Sequence, residues 1–442
     1  MHFHMNQKKW IAAVKMAAAV ISAGALAGCG SFSISIPANS GNRAVRTPTT
    51  SETVSAWNAV NEEGPSTADG SVRVEETVTA ADEEDAFEIY GFPVGETEGL
   101  SGFAYDQESE DIKGVYRQLY TGVSKRESKF TLRAADSEHI KKALTALIID
   151  HPEFFWIDGN ASMSGFKTFG IWQIKLDFNV DPSEIDGIQA KIDAAADEYL
   201  SSLPEGATDY QKVKAAYEYI IRTTDYDLKS TQNQNIQSVF VNHLSVCAGY
   251  SRALEYLLHR AGVWCAYIEG TTGDNAEGHA WNLVKIDGTY TFVDPSWGDP
   301  TYGEDATDAS RLSIIYDYLC LTSDELLRAK HIPGGQYSLP ECTDSSYDYY
   351  RLNGLYYEGF DPDAISRALW HAVDEAERAV FMKFSDFESY TKAVDALFPP
   401  EGDEAESLLD APIRQRMEWD SASSMRYYYS CSDELWIIKV YW

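Results

Sequence analysis

Gly278-His279-Ala280-Trp281-Asn282-Leu283-Val284-Lys285-Ile286-Asp287-Gly288-Thr289-Tyr290-Thr291-Phe292-Val293-Asp294-Pro295 is the stretch that decides how this chain of 442 residues folds. Two runs rich in β-branched and aromatic residues flank Asp287-Gly288, a dipeptide suited to a two-residue hairpin turn because both positions must take positive φ. Closing the hairpin there pairs Ile286 with Thr289. Counting outward sets Trp281 opposite Asp294 and His279 opposite Ser296. His279 and Asp294 are then diagonal neighbours on one sheet face, about 7–8 Å apart at the backbone and within side-chain reach. Pro295 ends the ladder, since proline has no N–H to donate.

Upstream, Cys247 follows Leu244-Ser245-Val246 and begins a helical pattern over Ala248 to Ala261. Tyr250, Leu254, Leu257, Leu258 and Ala261 recur at helical spacing and Gly262 supplies a stop. A cysteine in the first turn of a helix feels the positive end of the peptide dipoles, which favours thiolate over thiol. Taken alone, Cys247 reads equally as a small buried apolar residue. The His279–Asp294 pair alters that reading. A thiol, an imidazole and a carboxylate in this order provide a nucleophile, a base that later acts as acid, and a group that orients the ring.

Three blocks carry a resemblance. Val246-Cys247-Ala248-Gly249-Tyr250, Gly278-His279-Ala280-Trp281-Asn282 and Val293-Asp294-Pro295-Ser296-Trp297-Gly298-Asp299-Pro300 resemble the motifs of the transglutaminase-like superfamily, with Ser296 where many bacterial members have Thr. The resemblance spans residues 206–300. It implies an α+β, papain-like core in which a helix bearing the nucleophile at its N-terminus packs on an antiparallel sheet carrying His and Asp. It further implies a thioester acyl-enzyme resolved by water or by an amine, with an oxyanion held by the Cys247 N–H and one other donor. Gln237 is the candidate for that donor, although an ordinary polar loop residue is the plainer reading. Trp281 and Asn282 are expected to support the sheet, and Trp297 to wall the cleft or join the core.

At the N-terminus, Lys8, Lys9 and Lys15 precede an apolar stretch from Met16 to Gly28, and Leu26-Ala27-Gly28-Cys29 resembles a bacterial lipobox. A basic segment followed by a short apolar one reads as a secretory signal rather than a membrane span. Residues 1–28 are therefore expected to be removed, leaving Cys29 lipidated as the membrane anchor of a cell-envelope protein. The whole chain carries −33; without the three leader lysines, −36 remains. Such a charge repels nucleic acid and anionic headgroups, so lipid is the expected attachment. Besides Cys29, five cysteines remain, Cys247, Cys265, Cys320, Cys342 and Cys431, so at least one thiol stays unpaired in a monomer. No CxxC or HxxxH spacing is present, and neither a metal nor another cofactor is expected.

Residues 29–104 are rich in Ser, Thr, Gly, Ala, Pro and acidic side chains and read as a low-complexity tether, with Ala86 to Tyr90 as a stretch that could dock. Residues 105–205 read as a small α+β region. Asp136 caps a helix, 169–176 alternates as a strand, and a helix carries Ile185, Ile188, Ile192, Ala195 and Tyr199. The core opens with a helix capped by Thr208 and Gln211. Residues 301–442 read as a Tyr-rich α+β accessory region, with a helix over 365–381 and a last strand over 435–440. Its tyrosines fill half-buried strand faces or stack on sugar rings. The reading that accounts for most of these features is a thiol acyl-transfer enzyme acting on amides of proteins, peptides or cell-wall peptides, with hydrolysis favoured over transamidation. The alternative is a non-catalytic module that keeps the fold to bind peptide or glycan.

Overall fold

The computed structural model describes residues 34–37, 72–76, 83–299, 314–375, 377, 379–399, 407–419 and 424–441. The signal segment, Cys29 and most of the expected tether lie outside the described residues. The fold is α+β, and the described residues separate into two compact units, one carrying those from 72 to 299 and from 314 to 344, the other those from 345 to 441 together with 34–37.

The first unit is organised by a five-stranded antiparallel sheet in the order Leu319–Leu321, Thr289–Val293, Glu277–Ile286, Cys265–Thr272, Ile332–Pro333. At its centre the hairpin has the expected register, Thr289 against Ile286 through Val293 against Asn282. Asp287 (φ 48°) and Gly288 (φ 91°) take the left-handed conformations that a tight turn of this kind needs. The ladder ends at Val293, so Asp294 stands just past it.

Helix Cys247–Arg260 packs on the strands Glu277–Ile286 and Cys265–Thr272. Asn282 Nδ2 donates to the Ser251 carbonyl at 2.9 Å, tying the helix to the sheet one turn beyond Cys247. Sequence pattern suggests one buried stripe, yet the helix is buried on nearly every side, including Arg252 and Glu255. Arg252 is accommodated because its guanidinium lies 4.2 Å from the Tyr267 ring centroid and donates to the Ile148 carbonyl. Glu255 has no such partner for one carboxylate oxygen, and burial pushes its carboxyl well up. Gly249 is where the backbone before Cys247 crosses the helix. A Cβ there would lie 2.0 Å from Ser245 Oγ and 2.9 Å from the Asn233 carbonyl oxygen.

Helix Asp209–Thr223, with the Thr208/Gln211 capping box in place, lies against the cysteine helix. Ahead of it is a four-stranded sheet, ordered Val72–Glu76, Ile157–Phe166, Ile171–Phe178, Lys129–Arg133, with helix Ser137–Asp150 capped by Asp136. Within the stretch read as a tether, Glu83–Tyr90 is a helix whose Ala86 packs against Phe166 and Ile171, and Val94 N–H donates to the Thr131 carbonyl.

The second unit is built on a five-stranded sheet ordered Ile34–Pro37, Ser424–Ser432, Ile437–Tyr441, Ala379–Phe384, Tyr356–Tyr357. The helix expected over 365–381 instead runs Pro362–Asp374, and Ala379–Phe384 is a strand. Pairing with Ile437–Tyr441 outweighs the local helical pattern, since Val380, Met382 and Phe384 thereby reach the core. Of the tyrosines, Tyr350 and Tyr427 are buried and Tyr357 stacks on Phe384, as core residues do.

Replacing Asn282 by Ala removes the helix-to-sheet bond and leaves the Ser251 carbonyl with its intrahelical partner alone. The expected loss is about 0.5–1.5 kcal/mol, read as a lower urea midpoint at unchanged m-value. Gly249→Ala is expected to be more severe, because backbone as well as side chains must move.

Candidate active site

Three segments converge on the Asp294 carboxylate. The hairpin brings His279, whose Nε2 lies 2.6 Å from Asp294 Oδ2. The turn after the strand folds back, so that Ser296 N–H (2.9 Å), Ser296 Oγ (2.7 Å) and Trp297 N–H (3.1 Å) all donate to Oδ1. This is the local turn that Asp makes with the backbone two residues on, and a hydroxyl at position 296 completes it, which Ser and Thr do equally. The third segment brings His331, whose Nε2 lies 3.1 Å from Oδ2. Asp294 is 1% exposed, so these donors replace its water.

Cys247 is the first residue of its helix, after an extended Val246 that provides no side-chain cap. It is 4% exposed and lies within hydrogen-bonding reach of His279. With Nε2 engaged by Asp294, Nδ1 is the ring nitrogen left for the sulfur. Burial disfavours a charged ring, but the Asp294 carboxylate and the Cys247 sulfur outweigh it, and His279 is pushed up to about 10. Burial likewise opposes the Asp294 charge, while His279 and His331 hold that carboxyl well below the usual carboxylate range. The arrangement therefore favours an ion pair of imidazolium and carboxylate beside the Cys247 sulfur.

Aromatic rings surround this centre. Trp281 is fully buried and stacks beside His279 at 5.9 Å, while Trp297 approaches His279 at 5.8 Å and His331 at 4.7 Å. Trp281 thus contributes the wall behind the ring as well as sheet support. Gln237 precedes the short helical turn Ser238–Asn242; its Oε1 is buried without a hydrogen-bond partner among the described residues, and no hydrogen bond joins it to Cys247. Tyr226 takes the place next to the sulfur instead. It lies on the short strand Asp225–Tyr226, paired with Leu244–Ser245, and its hydroxyl meets both the backbone and the side chain of Cys247.

His331 and Tyr226 escaped the sequence reading. Tyr226 sits 21 positions before Cys247 and looks like a helix terminus. His331 follows a helix whose sequence carries no chemistry, and Arg328-Ala329-Lys330 before it gives no local signal. His279, Asp294 and His331 also bring one ligand atom each within 4.8 Å of one another, a group of the kind that could hold a metal. These atoms are already engaged as hydrogen-bonded pairs, so a metal would have to displace those bonds. All five cysteines from Cys247 onward are free thiols.

Residues 200–295 match the sequence model of the transglutaminase-like superfamily. They form a transglutaminase-like domain. Kyphoscoliosis peptidase of Homo sapiens is 28% identical over 167 residues, covering 34% of this chain and 25% of that protein. The Mus musculus protein is 27% identical over 162 residues, covering 33% and 24%. The chain thus spans about a quarter of the length of these curated relatives. Among solved structures, a TGase is 14% identical, covering 55% of this chain and 64% of its own at a TM-score of 0.24. The periplasmic domain of TgpA from Pseudomonas aeruginosa is 16% identical, covering 29% and 55% at 0.20. Among the described residues no helix is long and apolar enough to cross a membrane.

A ring whose folded-state value rises from 6.5 to about 10 contributes stability that is complete below about 6.5 and is lost as pH climbs through about 10. The stability advantage of the wild type over His279→Gln is therefore expected to narrow steadily between those two pH values in urea titrations. A gap that stays constant or widens would mean that the folded protein does not hold the ring protonated.

Proposed function

We propose that the chain is a thiol acyl-transfer enzyme of the cell envelope, anchored by lipid at Cys29, that attacks amide bonds of proteins or peptides through Cys247, His279 and Asp294. One observation carries the reading: a sulfur at a helix N-terminus lies against an imidazole whose far nitrogen is bonded to a buried carboxylate. This is the nucleophile, base and orienter relation on which acyl transfer depends.

In the first half-reaction the Cys247 thiolate adds to the amide carbonyl carbon. The C–N bond then breaks as the His279 imidazolium gives its proton to the departing amine, leaving a thioester on Sγ. In the second, water adds to the thioester while His279 takes its proton, and the carboxylic acid leaves as the thiolate returns. An amine in place of water would yield a new amide. Hydrolysis is the favoured outcome, with cell-wall stem peptides among the candidate substrates. The tetrahedral oxyanion would take over the Cys247 N–H, which has no partner within its helix and is held by the Tyr226 hydroxyl oxygen until substrate arrives. The Tyr226 hydroxyl, already at Cys247, is the second donor, in preference to Gln237.

A thiol-directed amide-mimic probe is expected to label Cys247 in the intact protein, located by peptide mass spectrometry, and His279→Ala is expected to slow labelling by about 10²–10⁴-fold. Labelling indifferent to His279 would leave a binding module with a buried thiol. Cys29→Ala is expected to move the protein from the membrane fraction to the soluble fraction of its host. Retention of that variant in the membrane would remove the lipid anchor from the reading.

A further inference from the structure

The segment that delivers His331 is built to do so. Helix Ser323–Arg328 starts with a Thr322/Glu325 capping box and ends with Lys330 at φ 59°. Lys330 N–H donates to the Leu327 carbonyl (3.0 Å) and His331 N–H to the Leu326 carbonyl (3.1 Å). This pair of bonds closes a helix through a left-handed residue and reverses the chain. The next residues, Ile332–Pro333, pair as an edge strand with Thr271 and Gly270. Gly270 is opposite His279 in the sheet, and a Cβ on it would lie 2.2 Å from the Ile332 carbonyl oxygen and 2.6 Å from the Trp281 ring. Glycine at 270 thus lets the edge strand close against Trp281 and seat His331 beside the triad.

His331 is fully buried. Its Nδ1 is 2.9 Å from the Ala329 carbonyl oxygen and its Nε2 3.1 Å from Asp294 Oδ2, the oxygen that His279 also uses. A carboxylate and a carbonyl only accept, so both contacts are hydrogen bonds only when each ring nitrogen carries a proton. The ring is held edge-on by Trp281 at 5.2 Å and Trp297 at 4.7 Å, with His279 at 5.3 Å. The titratable groups facing it are Asp294, His279 and Tyr318, and Cys247 lies beyond His279. Burial above all, with the same carboxylate adding to it, pushes the Tyr217 and Tyr226 hydroxyls well up.

We infer that His331 is a positioning residue for the proposed reaction, a second imidazole that donates to Asp294 Oδ2 and sets how much of that carboxylate's charge is left to His279. This rests on the triad reading. Without the second donor, Asp294 would hold the His279 proton more firmly, and its plane would be fixed by His279 and the Oδ1 donors alone. The acid limb of the reaction, in which His279 must release a proton to the departing amine, would then weaken, and the pH at which the ring gives up its proton would rise.

The test uses iodoacetamide on the full chain, with the rate of Cys247 alkylation followed by mass spectrometry from pH 5 to pH 11 in wild type, His331→Gln, His331→Leu and His279→Ala. His331→Gln keeps an amide donor near the Nε2 position, whereas His331→Leu fills the space without one. The expected result is an alkaline limb displaced upward by about half a unit to one unit in His331→Leu, with His331→Gln restored to within about threefold of the wild-type rate. Circular dichroism melts identify a variant that has not folded; should His331→Leu be one, His331→Met, which also fills the space without a donor, takes its place with the same expected displacement. A wild-type profile in both variants, with His279→Ala still impaired, overturns this role for His331 and leaves the triad standing. A wild-type rate that does not depend on His279 overturns the triad reading itself.

Discussion

A carboxylate shut away from water constrains the whole first unit. An isolated buried charge would cost tens of kcal/mol in a dry interior, so Asp294 exists as an anion only because donors surround it. Five contacts from three stretches of chain do so: His279 from the hairpin, Ser296 and Trp297 from the turn, and His331 from the segment after the helix Ser323–Arg328. Each fixes the distance between elements that sequence leaves independent. The end of the hairpin cannot shift without unpairing Oδ2, and the turn cannot open without unpairing Oδ1. Asp294 is therefore as much a structural hub as a chemical group.

The sulfur reaches this hub by a separate route. The cysteine helix is held to the sheet by Asn282 and buried on nearly all sides, so its N-terminus has little freedom to move relative to His279. Gly249 admits the backbone that crosses just beneath that terminus, and the same crossing stretch carries the Leu244–Ser245 strand that positions Tyr226. Helix geometry, a side-chain clamp and a close backbone approach together set the Cys247–His279 contact. Preorganisation of this kind lets a thiol and an imidazole exchange a proton without rearranging solvent.

Much of this was legible in the residues because it is governed by local rules. The Asp287-Gly288 turn dictated the hairpin register, and with it the placing of His279 and Asp294 on one face. The Thr208/Gln211 box and the Asp136 cap are satisfied within three residues of themselves, so their helices begin where the sequence suggests. Local pattern failed where partners are remote. The helical pattern read through Phe381 gives way from Ala379 to a strand because Ile437–Tyr441 offers a ladder. Arg252 and Glu255 lie outside the apolar stripe yet are buried, Arg252 between the Ile148 carbonyl of the helix Ser137–Asp150 and the Tyr267 ring. His331 and Tyr226 gave no local sign at all, since each acquires its meaning only from an atom it meets across the fold.

The sequence by itself determined the order of thiol, imidazole and carboxylate, the hairpin register and the acidic character of the chain, and its three motifs carried the resemblance that implied the α+β core. The register and the charge depend on turn stereochemistry and composition, which act over a few neighbouring residues. Tertiary structure alone decided that Asp294 serves two imidazoles, that Tyr226 lies beside Cys247, and that the cysteine helix is enclosed. Those outcomes follow from burial: once water is excluded, every polar group must find its partner wherever the packed chain happens to bring one, and no local pattern encodes that choice.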